Sequence, residues 1–130
     1  MLFLDRFREL AGNLGRSSSL TPHRAIEEWS EFVDDCTEGY EGTLFEYWDD
    51  MSIRGFLQRV VDDPEVKEVP ELAWFKTEVR RVDEKFAGLL AQGFDVQGGR
   101  GWWERKIPHV AGREMAENVK EQYGYEIEVI

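Results

Sequence analysis

The sequence predicts a mainly α-helical fold, with about five helices packed around a central helix over 72–92. Two observations favour this class. Apolar residues recur every three or four positions along most of the chain, and glycine or proline separates these stretches. Only the tail, 125–130, alternates apolar and polar residues as a strand does. A chain of 130 residues has about the size of one ordinary domain, so we expect one globular domain over 1–130.

The central helix is predicted from the spacing of its apolar residues, which alternates between three and four and places them all on one stripe. Pro70 before it suits a first helical turn, and Gly93 after it suits a helix end. We expect the other helices to bury their apolar faces against this one. The stripe consists of Leu72, Phe75, Val79, Val82, Phe86 and Leu89.

Four further helices are predicted at 2–14, from Pro22 to the glycines at 39 and 42, at 52–62 and at 112–123. Thr21 can cap the second helix, and Pro22 fits its first turn because a missing N–H costs nothing there. The stretch 43–48 suits either a short strand or the start of a helix. As a strand it would pair with 125–130, which gives a small two-stranded β pair.

The negative charge is concentrated in the segment 27–50, which contains ten acidic residues and no lysine or arginine. The remainder holds 17 acidic residues against all 16 basic ones, so this segment carries nearly the whole net charge of −11. Such a field repels nucleic-acid phosphates and attracts basic surfaces or metal cations. The alternative is a solvated face that only maintains solubility. The ten residues are Glu27, Glu28, Glu31, Asp34, Asp35, Glu38, Glu41, Glu46, Asp49 and Asp50.

The sequence gives no sign of a membrane or secreted protein. It contains no apolar run of about 18 residues, the length that a membrane span requires. Its start lacks the basic region and long apolar centre of a signal peptide. Cys36 is the single cysteine, which excludes an internal disulfide and favours a cytoplasmic setting. Acidic neighbours raise the pKa of a thiol, so we do not expect Cys36 to act as a nucleophile.

Two pairs of carboxylates in the acidic segment have helical spacing. Glu28 and Glu31 form the first pair, and after fourteen residues Glu46 and Asp49 form the second. Residues three apart share a helix face, so each pair could serve one cation. The pattern resembles the paired-carboxylate signature of the MazG-type all-α NTP pyrophosphohydrolases. That resemblance implies a Mg²⁺-dependent enzyme in which these four carboxylates are the metal ligands and the metal holds the substrate phosphates.

Trp102 and Trp103, with Arg100, Arg105 and Lys106, form a cluster of aromatic and basic residues. Stacking combined with positive charge can hold single-stranded nucleic acid, and tryptophan and arginine also anchor protein interfaces. Three basic residues are few for nucleic acid in so acidic a chain, so we expect no nucleic-acid partner. The structural alternative is that both tryptophans fold onto the helices.

We expect a binding function rather than an enzymatic one, because the sequence shows no catalytic constellation. By charge and size the chain is analogous to acidic immunity or antitoxin proteins, which occlude a basic nuclease. This interpretation needs a basic protein partner and no cofactor. The remaining alternatives are the Mg²⁺-dependent hydrolase and a structural domain without a ligand site. The predicted partner-binding residues are Glu27, Glu31, Asp34, Asp35, Trp48, Trp102, Trp103 and Arg105.

Overall fold

The computed structural model describes residues 2–92 and 101–130, which form five α-helices, one 3₁₀ helix and one small sheet. The mainly helical class is therefore confirmed. The helices are α1 (Phe3–Asn13), α2 (Pro22–Thr37), α3 (Leu44–Val61), α4 (Glu71–Ala87) and α5 (Arg113–Tyr123). The 3₁₀ helix is Trp102–Arg105, and the strands are β1 (Val110–Ala111) and β2 (Glu128–Val129).

Threonine caps begin α2 and α3. Thr21 Oγ1 accepts a hydrogen bond from the Arg24 N–H at 3.2 Å, which confirms the predicted cap. Thr43 forms a capping box, because its Oγ1 accepts from the Glu46 N–H at 3.1 Å while the Glu46 carboxylate accepts from the Thr43 N–H at 3.5 Å. These bonds satisfy backbone donors that have no partner within the helix.

For 43–48 the structure selects the second of the two predicted alternatives, because Thr43 caps α3 and 44–48 forms the start of this helix rather than a strand. The capping box fixes the helix start, and Leu44, Tyr47 and Met51 are buried with helical spacing. The predicted pairing of 43–48 with 125–130 is therefore wrong. The tail does contain a strand, but β2 pairs in parallel with β1, so that Glu128 lies opposite Val110. The helix predicted at 52–62 is correspondingly longer and begins at Leu44.

The helices pack around a central helix. Helix α3 is in contact with each of the other four, and the helix predicted at 72–92 corresponds to α4. Helix α4 packs against α2 and α3 and buries the predicted stripe from Leu72 to Phe86. It ends at Ala87 rather than at 92, because the chain then turns and pairs with the segment after the 3₁₀ helix. There the Ala91 N–H donates to the Ile107 carbonyl at 2.9 Å. Gly93 lies outside the described residues.

A buried ion pair lies within the core. Arg54, which is 4% exposed, donates two hydrogen bonds to the Asp83 carboxylate at 2.8 and 2.9 Å. Trp29 Nε1 donates to the same carboxylate at 3.0 Å. The Arg54 guanidinium also lies 4.3 Å from the ring centroid of Trp103. This network joins α2, α3, α4 and the 3₁₀ helix.

In the described part of the chain, no helix has both the length and the apolar character needed to cross a bilayer.

Candidate functional site

The acidic residues of 27–50 divide into two groups, and the first group has basic partners. These pairs are solvent-exposed to varying degrees, so each contributes little to stability, but each reduces the local negative field. The partners come from the start of α2, the loop before it and the far end of α4. The four pairs are Glu27–Arg24 at 3.9 Å, Glu31–Arg24 at 2.9 Å, Glu28–Arg16 at 3.2 Å and Asp34–Lys85 at 3.6 Å.

The second group forms what we call the acidic face. Its six carboxylates have no basic partner among the residues that the structure describes. They belong to the C-terminal half of α2, the connection that follows it and the first turns of α3. The acidic face consists of Asp35, Glu38, Glu41, Glu46, Asp49 and Asp50.

Two neighbouring clefts lie along the acidic face. The first has a volume of about 400 Å³ and lies between the end of α2 and the start of α3, where Glu38, Glu41 and Glu46 line it. The second, of about 380 Å³, is lined by Asp49 and Asp50, by residues of α2, and by Arg16 and Ser52. Asp35 lines both clefts, so the six carboxylates border two clefts that share a residue.

A buried tyrosine holds part of this surface in place. The Tyr40 hydroxyl donates to Asp50 Oδ2 at 2.5 Å, and the Tyr40 ring packs edge-on against Tyr47 at 5.4 Å between centroids. The Tyr40 carbonyl accepts from the Gly112 N–H at 2.8 Å, which ties the connection to α5. Burial and the bond to Asp50 raise the pKa of Tyr40, so its hydroxyl remains a donor.

Both burial and neighbouring negative charges act on Asp35. Its pKa is raised, first by partial burial and then by the nearby charges of Asp50 and Glu38. Behind it, Cys36 is 1% exposed, and burial followed by the Asp35 charge raises the pKa of its thiol. A thiol in this state is a poor nucleophile. What the arrangement favours is an incoming positive charge, which would relieve the repulsion among the carboxylates.

The predicted partner-binding residues are distributed differently from expectation. All four acids lie exposed on α2, but only Asp35 lacks a basic partner among the described residues. Trp48 is half-buried and Trp102 is 37% exposed. Trp103 is 5% exposed, so its prediction as a surface anchor needs correction. Its ring is held inside by the edge-on contact with Trp102 and by the Arg54 guanidinium. The side chain of Arg105 and all of Arg100 lie outside the described residues.

The predicted metal ligands are brought near one another without converging. Glu28, Glu31 and Asp49 line the second cleft, whereas Glu46 lines the first. Glu31 accepts two hydrogen bonds from Arg24, which lower its pKa, and Glu46 belongs to the capping box. Within residues 2–92 and 101–130, no three His, Cys, Asp or Glu side chains are close enough to share a metal ion.

One exposed aromatic residue beside the acidic face is absent from the predicted partner-binding residues. Phe45, in the first turn of α3, is 79% exposed. A helical spacing over 44–51 would have revealed it, because that spacing turns Leu44, Tyr47 and Met51 inward and leaves Phe45 outside. The ambiguity between strand and helix concealed the signal. Arg54, on the buried side of the same helix, lies within the predicted helix 52–62, and its burial depends on pairing with Asp83 of α4, which the sequence alone does not reveal.

Comparisons of this chain with protein-family models, with curated proteins and with solved structures found no match.

Proposed function

We propose that this chain is an acidic binding protein that engages a basic protein partner through the acidic face, as an inhibitor of the immunity or antitoxin type does. The observation that carries the proposal is the gathering of six carboxylates without basic partners, among the described residues, along two clefts that share Asp35. Such a surface accelerates encounter with a positive patch and sets the register of the complex. Partial burial raises the pKa of Asp35 first, and a partner's lysines and arginines would relieve the second cause, which is repulsion from Asp50 and Glu38.

An exposed aromatic residue supports the same proposal. Phe45 stands next to Glu46 and one helical turn before Asp49, so an apolar contact is available within a charged surround. Interfaces combine a few aromatic anchors with a polar rim, and the anchors supply most of the binding energy. Phe45 would serve as an aromatic anchor at the interface, a role for which the buried Trp103 is not exposed enough. We place the protein in the cytoplasm as part of this proposal, because Cys36 has no second cysteine in the sequence.

Charge reversal with a matched control tests the proposal. The face variant carries Asp35→Lys, Glu38→Lys and Asp49→Lys. The control carries Glu114→Lys, Glu117→Lys and Glu121→Lys, three exposed acids of α5 that give the same change of net charge. Immobilised wild-type and control protein should capture the same basic protein from a lysate of the source cells, and the face variant should lose it. High salt should also release it, because screening weakens exposed charge interactions.

Stopped-flow kinetics with the captured partner supply the quantitative readout. The face variant should associate at least about tenfold more slowly than wild type, and the control should stay within about twofold. Equal effects of the two variants would show that only net charge matters, and would contradict a specific acidic face. If no basic protein is captured, the chain is better described as a structural domain.

A second candidate is the Mg²⁺-dependent nucleotide hydrolase. The observation that favours it is that Glu28, Glu31 and Asp49 line one cleft together with Asp35 and Asp50. Carboxylate oxygens are suitable Mg²⁺ ligands if the side chains can turn toward a common point. Thermal melting with and without Mg²⁺ tests this, because a ligand that binds only the folded state raises the melting temperature. Nucleotide turnover that survives the double change Glu28→Gln and Glu31→Gln would refute this candidate.

A further inference from the structure

A more apolar groove runs along α3 beside the acidic face. It is formed by two adjoining clefts of about 400 and 300 Å³, both lined by Ser52, Gly55 and Trp103. Trp48 lines one end, and Phe56 lines the other. Ser52 also lines the second acidic cleft, so the acidic face and this groove meet at that residue. We call it the Ser52 groove.

The groove floor is open because Gly55 has no side chain. Gly55 lies in the interior of α3, where glycine is less stable than alanine. A Cβ atom built there would meet nothing within 4 Å in the described part of the chain, so no packing contact requires glycine at this position. The consequence of the glycine is a concave strip between Trp48 and Trp103. A large side chain at this position would fill it.

The charges around the groove are locally balanced, unlike those of the acidic face. The Arg54 guanidinium is paired with Asp83, and Arg16 is paired with Glu28. Glu104 lines both clefts. Among the described residues the groove therefore lacks the surplus of negative charge that would attract a lysine or arginine, and its apolar walls favour an uncharged side chain. The adjoining acidic face attracts lysine and arginine side chains. The two surfaces therefore suit different parts of one partner segment.

We propose that the Ser52 groove receives one aromatic side chain from the basic partner, supplied by a segment whose basic residues lie against the acidic face. This inference rests on the proposed function and adds the partner's anchor to it. An aromatic ring would contact Trp48 and Trp103 over Gly55, with the offset or edge-on geometry that aromatic pairs prefer. The charges set the rate and the register of binding, and the anchor slows dissociation.

Three fluorescein-labelled peptides test the inference by anisotropy. Each has a central residue flanked on both sides by glycine and then by a run of lysine and arginine. The central residue is tryptophan in the first peptide, glycine in the second and arginine in the third. The proteins are wild type, Gly55→Leu, Ser52→Leu, the acidic-face variant and the control Gly12→Leu. Gly12 is a helical glycine that also has open space at the Cβ position among the described residues, and it lines neither cleft of the groove.

Wild type and Gly12→Leu should bind the tryptophan peptide about tenfold more tightly than the glycine peptide, as expected for burial of one large apolar side chain. Gly55→Leu and Ser52→Leu should bind both peptides equally, with unchanged affinity for the glycine peptide. Circular dichroism shows which variants are folded. If one of the two groove variants does not fold, the other still tests the inference. The inference is overturned if wild type does not distinguish tryptophan from glycine, if the arginine peptide binds as tightly as the tryptophan peptide, or if the folded groove variants keep the tryptophan advantage.

The acidic-face variant separates this inference from the proposed function. It should lose affinity for all three peptides at least about tenfold, because it removes the attraction that they share. If it still binds the glycine peptide as wild type does, or if wild type binds no peptide, then the proposed function fails and the inference fails with it. If only the tryptophan advantage is missing, the inference alone fails.

Discussion

Removal of the Asp83 carboxylate is the sharpest test of how the core is held together. Asp83 accepts two hydrogen bonds from Arg54 and one from Trp29 Nε1. The change Asp83→Ala leaves a guanidinium whose side chain is 5% exposed without its counter-ion. It also leaves the indole N–H, on a fully buried tryptophan, without an acceptor. Both groups would then be desolvated without compensation.

The expected cost follows from these two losses. Breaking a buried ion pair by removing one partner costs about 3–5 kcal/mol. The Asp83 side chain is 16% exposed, so water can reach the vacated site, and we expect the lower end of that range. An unsatisfied indole N–H adds about 1 kcal/mol. We therefore expect Asp83→Ala to lower the free energy of unfolding by about 3–4 kcal/mol.

A double variant isolates the role of the unpaired charge. Arg54→Met combined with Asp83→Leu removes both ions and should cost less than about 2 kcal/mol, which is less than Asp83→Ala alone. Urea unfolding followed by circular dichroism measures all three proteins, with exposed Glu84→Ala on the same helix as a control expected within about 0.5 kcal/mol. A cost below about 1 kcal/mol for Asp83→Ala, at an unchanged urea slope, would refute this reasoning.

Three further predictions concern single positions. The hydrogen bond from Arg6 lowers the pKa of Asp63 below its unfolded value of about 3.9, so the pair stabilises the fold above that pH, and the stability is lost as pH falls through the folded pKa. Asp63→Asn should therefore lower stability at neutral pH and flatten the acid limb of a pH series of urea titrations. The raised pKa of Asp35 has the opposite sign, because its unfavourable contribution is present above the folded pKa and disappears as pH falls. Asp35→Asn should raise the free energy of unfolding at neutral pH but not in acid, and by less than about 1 kcal/mol because water screens the exposed group; urea titrations at the two pH values measure this. Gly55→Ala should stabilise the protein by about 0.5–1 kcal/mol, whereas Gly124→Ala should destabilise it by about 1 kcal/mol, since φ at Gly124 is +66°; the same sign for both in thermal melts would contradict this assignment.

The stabilising network and the proposed anchor site are physically connected. Arg54 packs on Trp103, and Trp103 lines the Ser52 groove. The buried ion pair therefore has a second consequence besides stability, because it holds one wall of the groove at a fixed position. By contrast, the raised pKa of Asp35 indicates that the charged form of this one carboxylate is unfavourable in the folded state. A binding residue that is unfavourable in the free protein is a common exchange of stability for function.

Local sequence pattern determined most of the helices and the charge asymmetry. The stripe of α4 from Leu72 to Phe86, the Thr21 cap and the helix end at Gly124 were all predictable, because each depends on backbone geometry within one or two turns. The concentration of acids in 27–50 is a property of the chain itself. These features need no knowledge of which distant residues meet.

Tertiary structure decided the rest. The stretch 43–48 is too short for its period to distinguish strand from helix, and burial of Tyr47 with its capped first turn settles the choice. β1 has only two residues and exists because the tail pairs with it. The positions of Arg16, Arg24 and Lys85 determine which acids have a basic partner among the described residues and which do not. Hydrogen bonds within a helix are set by neighbours along the chain, whereas ion pairing and burial are set by residues far apart in sequence, and only packing brings those together.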